Sequence, residues 1–197
     1  MRLFTLILIL SIIFSCSDKK QKATPQEPDS IQQEYLKMGN EVSKLAQAEL
    51  LKNVSQAMKK GGPGYAIEFC NIKALPLMDS LSKLYNCQIK RIATKYRNPL
   101  DMPQAGKEIE QMNQYQATFE KGESLEPIIH VFDDRIEYYK PIMMNKGACL
   151  KCHGDSGKHI TKETLKKIDE LYPNDLATGF ALQDFRGAWK ITFSREQ

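Results

Sequence analysis

PIIHVFDDRIEYYKPIM, residues 127–143, reads as two β-strands either side of a chain reversal. Residues 127–132 and 136–143 are rich in β-branched and aromatic side chains, and Asp133-Asp134 between them is a turn-compatible pair. A short reversal of this kind joins antiparallel strands, whereas parallel strands need a long crossover. Residues 187–194 add a strand whose alternation puts Trp189, Ile191 and Phe193 on one face, and residues 88–94 also have strand character. The stretches around these strands read as helices. Tyr35, Met38, Val42, Leu45, Ala46, Leu50, Val54 and Met58 recur at three- and four-residue steps, predicting a long N-terminal helix that stops at Lys59-Lys60-Gly61-Gly62-Pro63. A second stripe runs through Ile67, Cys70, Ala74, Leu77, Leu81 and Leu84, and Pro76 inside it predicts a kink or two abutting helices. Residues 104–121 and 161–171 complete the helical set, the latter ending before Pro173. Strands and helices do not alternate strictly, so the expected fold class is α+β with an antiparallel sheet.

The chain has 197 residues, 42% hydrophobic and 26% charged, the balance of an ordinary globular domain rather than a disordered or fibrous protein. Its net charge of +4 is too small and too evenly spread to argue for nucleic acid as a partner. Five cysteines are too few for a disulfide scaffold and odd in number, so at least one has a role other than intramolecular pairing.

Met1-Arg2 followed by the apolar run from Leu3 to Phe14 has the layout of a secretory signal, and it is shorter than the roughly 20 residues of a bilayer span. The run ends in Ile13-Phe14-Ser15-Cys16, which resembles a bacterial lipobox, cut before a cysteine that is then lipidated. Residues 1–15 are therefore expected to be a lipoprotein signal peptide and Cys16 the lipidated residue. Residues 16–30, without an apolar run and with Pro25 and Pro28, read as a polar tether, leaving residues 31–197 as the folded domain. This layout predicts an extracytoplasmic protein held on a bacterial membrane through its lipid.

Cys149-Leu150-Lys151-Cys152-His153 is the C-x-x-C-H pattern of covalent haem c attachment. Two thiols at this spacing bracket two vinyl groups, and the adjacent imidazole reaches one axial face of the iron. A thioredoxin-like pair would sit in a βαβ context, and a zinc site would want two more cysteines or histidines at short spacing; neither surrounds Cys149. For the sixth iron position the residues leave Cys70, Cys87, Met143, Met144, His130 and His159 open. Adjacent methionines more often fill a core, and a histidine inside an apolar strand is more often a hydrogen-bonded core residue. Cys70 and Cys87 can also pair as a disulfide in an oxidising compartment, which would withdraw both.

Taken together, Ala66-Ile67-Glu68-Phe69-Cys70, Lys95-Tyr96-Arg97-Asn98-Pro99, Tyr139-Lys140-Pro141-Ile142, the CLKCHG of residues 149–154, the YPNDLATGF of residues 172–180 and Arg186-Gly187-Ala188 resemble one bacterial family. It is the PAS-like c-type haem domain, found as small secreted cytochromes and as the sensor part of membrane histidine kinases and chemoreceptors. The resemblance spans about residues 35–194. It implies a PAS-like antiparallel sheet flanked by helices, with a single haem c held axially by His153 and by the thiolate of Cys70. Arg97 and Asn98 become candidates for propionate contacts or for a purely structural turn, and Cys87 falls outside the matched motifs. Thiolate donation would favour ferric iron, and two axial ligands leave no open position for oxygen activation, so an electron carrier is expected rather than an enzyme. The expected function is one-electron transfer with a redox partner protein. The alternative is a redox or gas sensor module acting through a signalling partner.

Overall fold

The computed structural model describes residues 28–195; the signal segment, Cys16 and most of the tether expected over residues 16–30 lie outside them. The first element, α1 (Pro28–Leu84), is helical throughout except at Gly61 and Gly62. The break thus falls at the glycines, where the first helix was expected to stop, and the kink expected at Pro76 is absent. Gly62 has φ 73° and ψ −168°, a backbone region that is essentially glycine's alone. Pro63 then opens the second arm, where a missing N–H costs little. Pro76 keeps helical backbone between Ala74 and Met78, two residues whose burial against the sheet holds that arm in place.

Four strands follow: β1 (Gln88–Ile92), β2 (Ile128–Val131), β3 (Arg135–Met143) and β4 (Phe185–Ser194). They form one antiparallel sheet in the order β1-β4-β3-β2. The hairpin read from residues 127–143 is present as β2 and β3, with Phe132 N donating to Arg135 O across the reversal. Pro141 is tolerated in β3 because pairing with β2 ends at Tyr139, so beyond that point one edge of β3 is open. Helices α2 (Lys107–Glu120), α3 (Gly147–His153) and α4 (Lys162–Leu171) complete the α+β fold, with a 3-10 turn at Pro99–Asp101. The sequence reading had no helix at α3. Thr161 Oγ1 accepts from Thr164 N and caps α4, which ends one residue before Tyr172-Pro173.

The sheet divides the interior in two. On one face, Val42, Ala46 and Leu50 of the first arm of α1 and Ala74 and Met78 of the second pack on Tyr138, Trp189, Ile191 and Phe193. The expected alternation of Trp189, Ile191 and Phe193 is the one observed. Met38 and Leu45, placed in the apolar stripe by spacing, are instead 37% and 46% exposed, because the sheet covers a narrower arc of the helix than the stripe spans. On the other face Met112 and Tyr115 of α2 pack on Ile92, Tyr139 and Ala188.

Candidate functional site

Helix α3 carries the whole C-x-x-C-H segment. A spacing of three residues puts Cys149 and Cys152 about one turn apart on the same side of a helix, and His153 follows at its last position. The helix is too short to hold itself, and residues 175–180 splint it. Gly179 N donates to Gly154 O and Phe180 N to His153 O, each at 2.9 Å. Arg97 Nη2 donates to Cys152 O at 2.7 Å, while its Nε donates to Asp175 Oδ1 at 2.8 Å. Asp175 Oδ1 also accepts from Ala177 N at 3.2 Å, which fixes the turn whose carbonyl faces the imidazole.

That carbonyl decides the state of His153. His153 Nδ1 lies 2.8 Å from Ala177 O, which can only accept, so Nδ1 carries the hydrogen. Burial, reinforced by the Arg186 and Arg97 charges, holds the imidazole well below its usual pKa. The ring is therefore neutral at pH 7 and Nε2 keeps its lone pair, the state in which histidine binds a metal.

A cavity of about 390 Å³ lies between α1, α3 and the β1/β4 end of the sheet. Cys70, Cys149, Cys152 and His153 all line it, so the structure brings together the four residues that the sequence singles out in this domain. Much of the remaining wall is apolar, with Leu50, Val54, Ile67, Ile92, Ile142 and Trp189 among its residues. Burial pushes the Cys70 thiol up, against the opposing pull of Arg91 and Arg97, and burial likewise pushes Cys152 up to about 11. Both are thiols rather than thiolates at neutral pH until something displaces the proton.

The other candidates separate clearly. Met143 and Met144 reach the cavity wall, but Met144 is also packed against Leu150, Ala177 and Phe180, and Met143 against the α2 face of the sheet. His130 lies on β2, with Nε2 2.9 Å from Gln111 Oε1, and does not line the cavity. His159 Nδ1 accepts from Asp155 N in the loop after α3. Cys70 and Cys87 are both free thiols, so the disulfide alternative is not formed; Cys87 lines a separate groove beside Ser82 and Lys90. Arg97 is held by Asp175 and the backbone of α3, and Asn98 Oδ1 accepts from Leu100 N to cap the 3-10 turn, while both residues also line the cavity.

Sequence reasoning missed Arg91, Arg186 and Asp175. Arg186 and Asp175 fall within the family motifs, but nothing in their spacing announces a site. Gly187 is a further omission with a geometric reason: at φ +156°, a Cβ there would stand 2.5 Å from Ile92 O, so only glycine allows β4 to close on β1 at the cavity wall.

The Tll0287-like family model, described as Tll0287, matches residues 18–194. Among solved structures, the crystal structure of the cyanobacterial haem-protein Tll0287 matches with a TM-score of 0.56 at 21% identity, covering 89% of this chain and 99% of that one. At that identity the likeness establishes a shared fold. No curated protein matches the chain.

Proposed function

The chain belongs to the Tll0287-like family, and from that premise we propose that it is a haem-binding protein whose cavity takes one covalently attached haem c. Cys149 and Cys152 would supply the thioether links, and His153 and Cys70 would hold the iron. One observation carries this reading: two thiols a helical turn apart, a neutral imidazole with a free Nε2 and a third thiol on α1 all line one largely apolar cavity. Sulfur and nitrogen donors suit iron, and apolar walls suit a flat macrocycle. That the similar cyanobacterial protein Tll0287 is a haem-protein supports the same assignment.

Bound haem supplies one-electron chemistry at its iron. The chain's own residues hold and orient it. Ala177 O fixes the tautomer of His153, Arg97 and Asp175 fix the loop that carries that carbonyl, and Cys70 gives up its proton to bind as thiolate, helped by the Arg91 and Arg97 charges. With His153 and Cys70 both holding the iron, the bound haem would supply electron transfer with a redox partner rather than catalysis. The lipobox-like residues 13–16 support an extracytoplasmic protein anchored through lipid on Cys16.

A second reading is favoured by one feature. Cys70 lies on the arm of α1 that follows the Gly61–Gly62 break, so its bond to iron would tie that arm to the cavity, and loss of the bond would change how the arm packs there. That suits a redox or gas sensor working through a partner.

A pyridine haemochrome spectrum of protein exported with the haem-attachment machinery should show two-thioether haem c. A spectrum without haem c overturns the central assignment. Cys70→Ala should abolish a thiolate-type ferric spectrum, and an unchanged spectrum moves the ligand to Met143 or Met144. Carbon monoxide added to the reduced protein separates the two functions: unchanged ligation supports the carrier, and displacement of Cys70 with a change in α1 supports the sensor. Incorporation of labelled fatty acid, lost in Cys16→Ser, tests the anchor.

A further inference from the structure

Three guanidinium groups, those of Arg91, Arg97 and Arg186, line the otherwise largely apolar cavity, and they are not equivalent. Arg97 is ion-paired through Nε and Nη2: Asp175 accepts at 2.8 Å and 3.3 Å, and Cys152 O at 2.7 Å. Arg91 has one distant carboxylate, Asp101, at 3.6 Å. Arg186 donates to one backbone carbonyl, Lys95 O at 2.9 Å, and lies 5.2 Å from the Phe180 ring; it forms no ion pair among the described residues. A guanidinium has five N–H donors, and one carbonyl satisfies one of them. Burial, with the Arg97 and Arg91 charges adding to it, pushes Arg186 down to about 10 and outweighs the opposite pull of Asp101 and Asp175.

Once Arg97 is set against Asp175, the β1/β4 end of the cavity retains two guanidiniums, Arg91 and Arg186, and one carboxylate, Asp101. An unbalanced positive charge beside apolar walls fits a ligand with an apolar body and an ionised carboxylate at its edge, because the carboxylate can accept two donors from one guanidinium. We propose that Arg186 on β4, with Arg91 on the neighbouring strand β1, is the carboxylate anchor of the cavity, and that it fixes which edge of the ligand faces the sheet. This rests on the haem reading above, where the carboxylates are the propionates. It places the anchor at Arg186 beside Arg97, which the resemblance left open between a propionate contact and a structural turn.

The test compares two probes on the full chain produced without haem loading. Trp189 is the only tryptophan and lines the cavity, so quenching of its fluorescence reports occupancy directly. Titration with haemin and with haemin dimethyl ester should show the wild type binding haemin at least about tenfold tighter, equivalent to about 1.4 kcal/mol. Arg186→Gln should collapse that preference to about twofold or less while leaving ester affinity unchanged, and Arg186→Lys should restore part of it. Equal binding of haemin and ester by the wild type overturns the anchor and leaves the haem reading standing. A full preference retained in Arg186→Gln does the same. If the wild type binds neither probe, the haem reading itself falls and the anchor with it. If Arg186→Gln fails to fold and loses both probes, Arg91→Gln decides: a reduced preference supports the anchor, and an unchanged one overturns it.

Discussion

Ala177 O faces His153 Nδ1 because Asp175 holds the turn before it, and Asp175 is in turn held by Arg97, whose side chain is only 9% exposed against 7% for the carboxylate. Removing one member of such a pair leaves the other buried without a counter-charge, a change that costs about 3 kcal/mol or more. Asp175→Asn should therefore lower the unfolding free energy by roughly that amount in urea titrations. It should also loosen the 175–180 splint, visible as faster amide exchange at Gly179 and Phe180, whose N–H groups bind α3. Asn98→Ala, which removes only the cap on the 3-10 turn, should cost about 1 kcal/mol. A similar contrast holds at Gly187. Its Cβ position is 2.5 Å from the rigid Ile92 carbonyl and its φ is +156°, so Gly187→Ala must move backbone rather than a flexible side chain. The expected loss is of the order of 1–3 kcal/mol, read as a lowered Tm, with the β1/β4 pairing opening first.

At the scale of elements, the break in α1 is the instructive case. The sequence contains two helix-disturbing sites, Gly61-Gly62-Pro63 and Pro76, and spacing alone ranks neither. The structure bends the chain at the glycines because Gly62 can adopt a backbone conformation closed to other residues, while Pro76 is pinned straight between buried Ala74 and Met78. Gly62→Ala should destabilise by about 1–3 kcal/mol through backbone strain alone, since no atom lies within 4 Å of the added Cβ; Pro76→Ala should leave stability unchanged or raise it. Denaturation midpoints of the two variants check the pair, and a reversed order would place the hinge at Pro76. The same contrast marks what the sequence could reveal. Period-two patterning found β4 because a half-buried strand must alternate, β-branched and aromatic composition around a turn pair found β2 and β3, and the C-x-x-C-H spacing found three of the cavity's ligand candidates because haem attachment is local in sequence. Cys70 was reached through resemblance rather than pattern, since a buried cysteine on a helix carries no mark of what it faces. Helix α3 escaped notice because seven residues with one buried side chain have no period to read; it is held by the splint and not by its own amphipathicity. Arg186 escaped for a related reason: its significance lies in the carboxylate it lacks, and that is visible only when Arg97 and Asp175 are seen to satisfy each other.

For the molecule as a whole, the sheet separates two kinds of chemistry. The cavity opens between its β1/β4 end, α1 and α3, while the α2 side encloses an ion network. There Lys190 lies 2.9 Å from Glu108 and 3.0 Å from Glu137, and Arg135 lies 2.9 Å from Glu137. Burial alone would raise both carboxyl groups. The hydrogen bonds from Gln104 N and Lys190 to Glu108, and from Arg135, Tyr139 and Lys190 to Glu137, outweigh it and hold both below the ordinary value of 4.5. A carboxyl whose native pKa is depressed binds fewer protons folded than unfolded as pH falls past the unfolded value. Its contribution is thus complete above about pH 4.5 and lost as the pH drops through the native pKa. The share of the unfolding free energy held by these two carboxylates should therefore stay steady from pH 7 down to about 5 and fall below about 4.5. It falls on top of a loss that begins near pH 6.5, because buried His153 stays neutral while the unfolded imidazole takes up a proton. Glu137→Gln should be less stable at pH 7, because Arg135 keeps only Asp134 and Lys190 keeps only Glu108, and its stability should fall less steeply in acid. Because this network stands on the opposite side of the sheet from the cavity, the part of the acid slope that it causes, read as the difference between the wild type and Glu137→Gln below about pH 4.5, should be the same with and without ligand in the cavity. Urea titrations at pH 7, 5, 4 and 3 on both forms measure it, and a difference that changes with loading would show that the two faces of the sheet do not act independently.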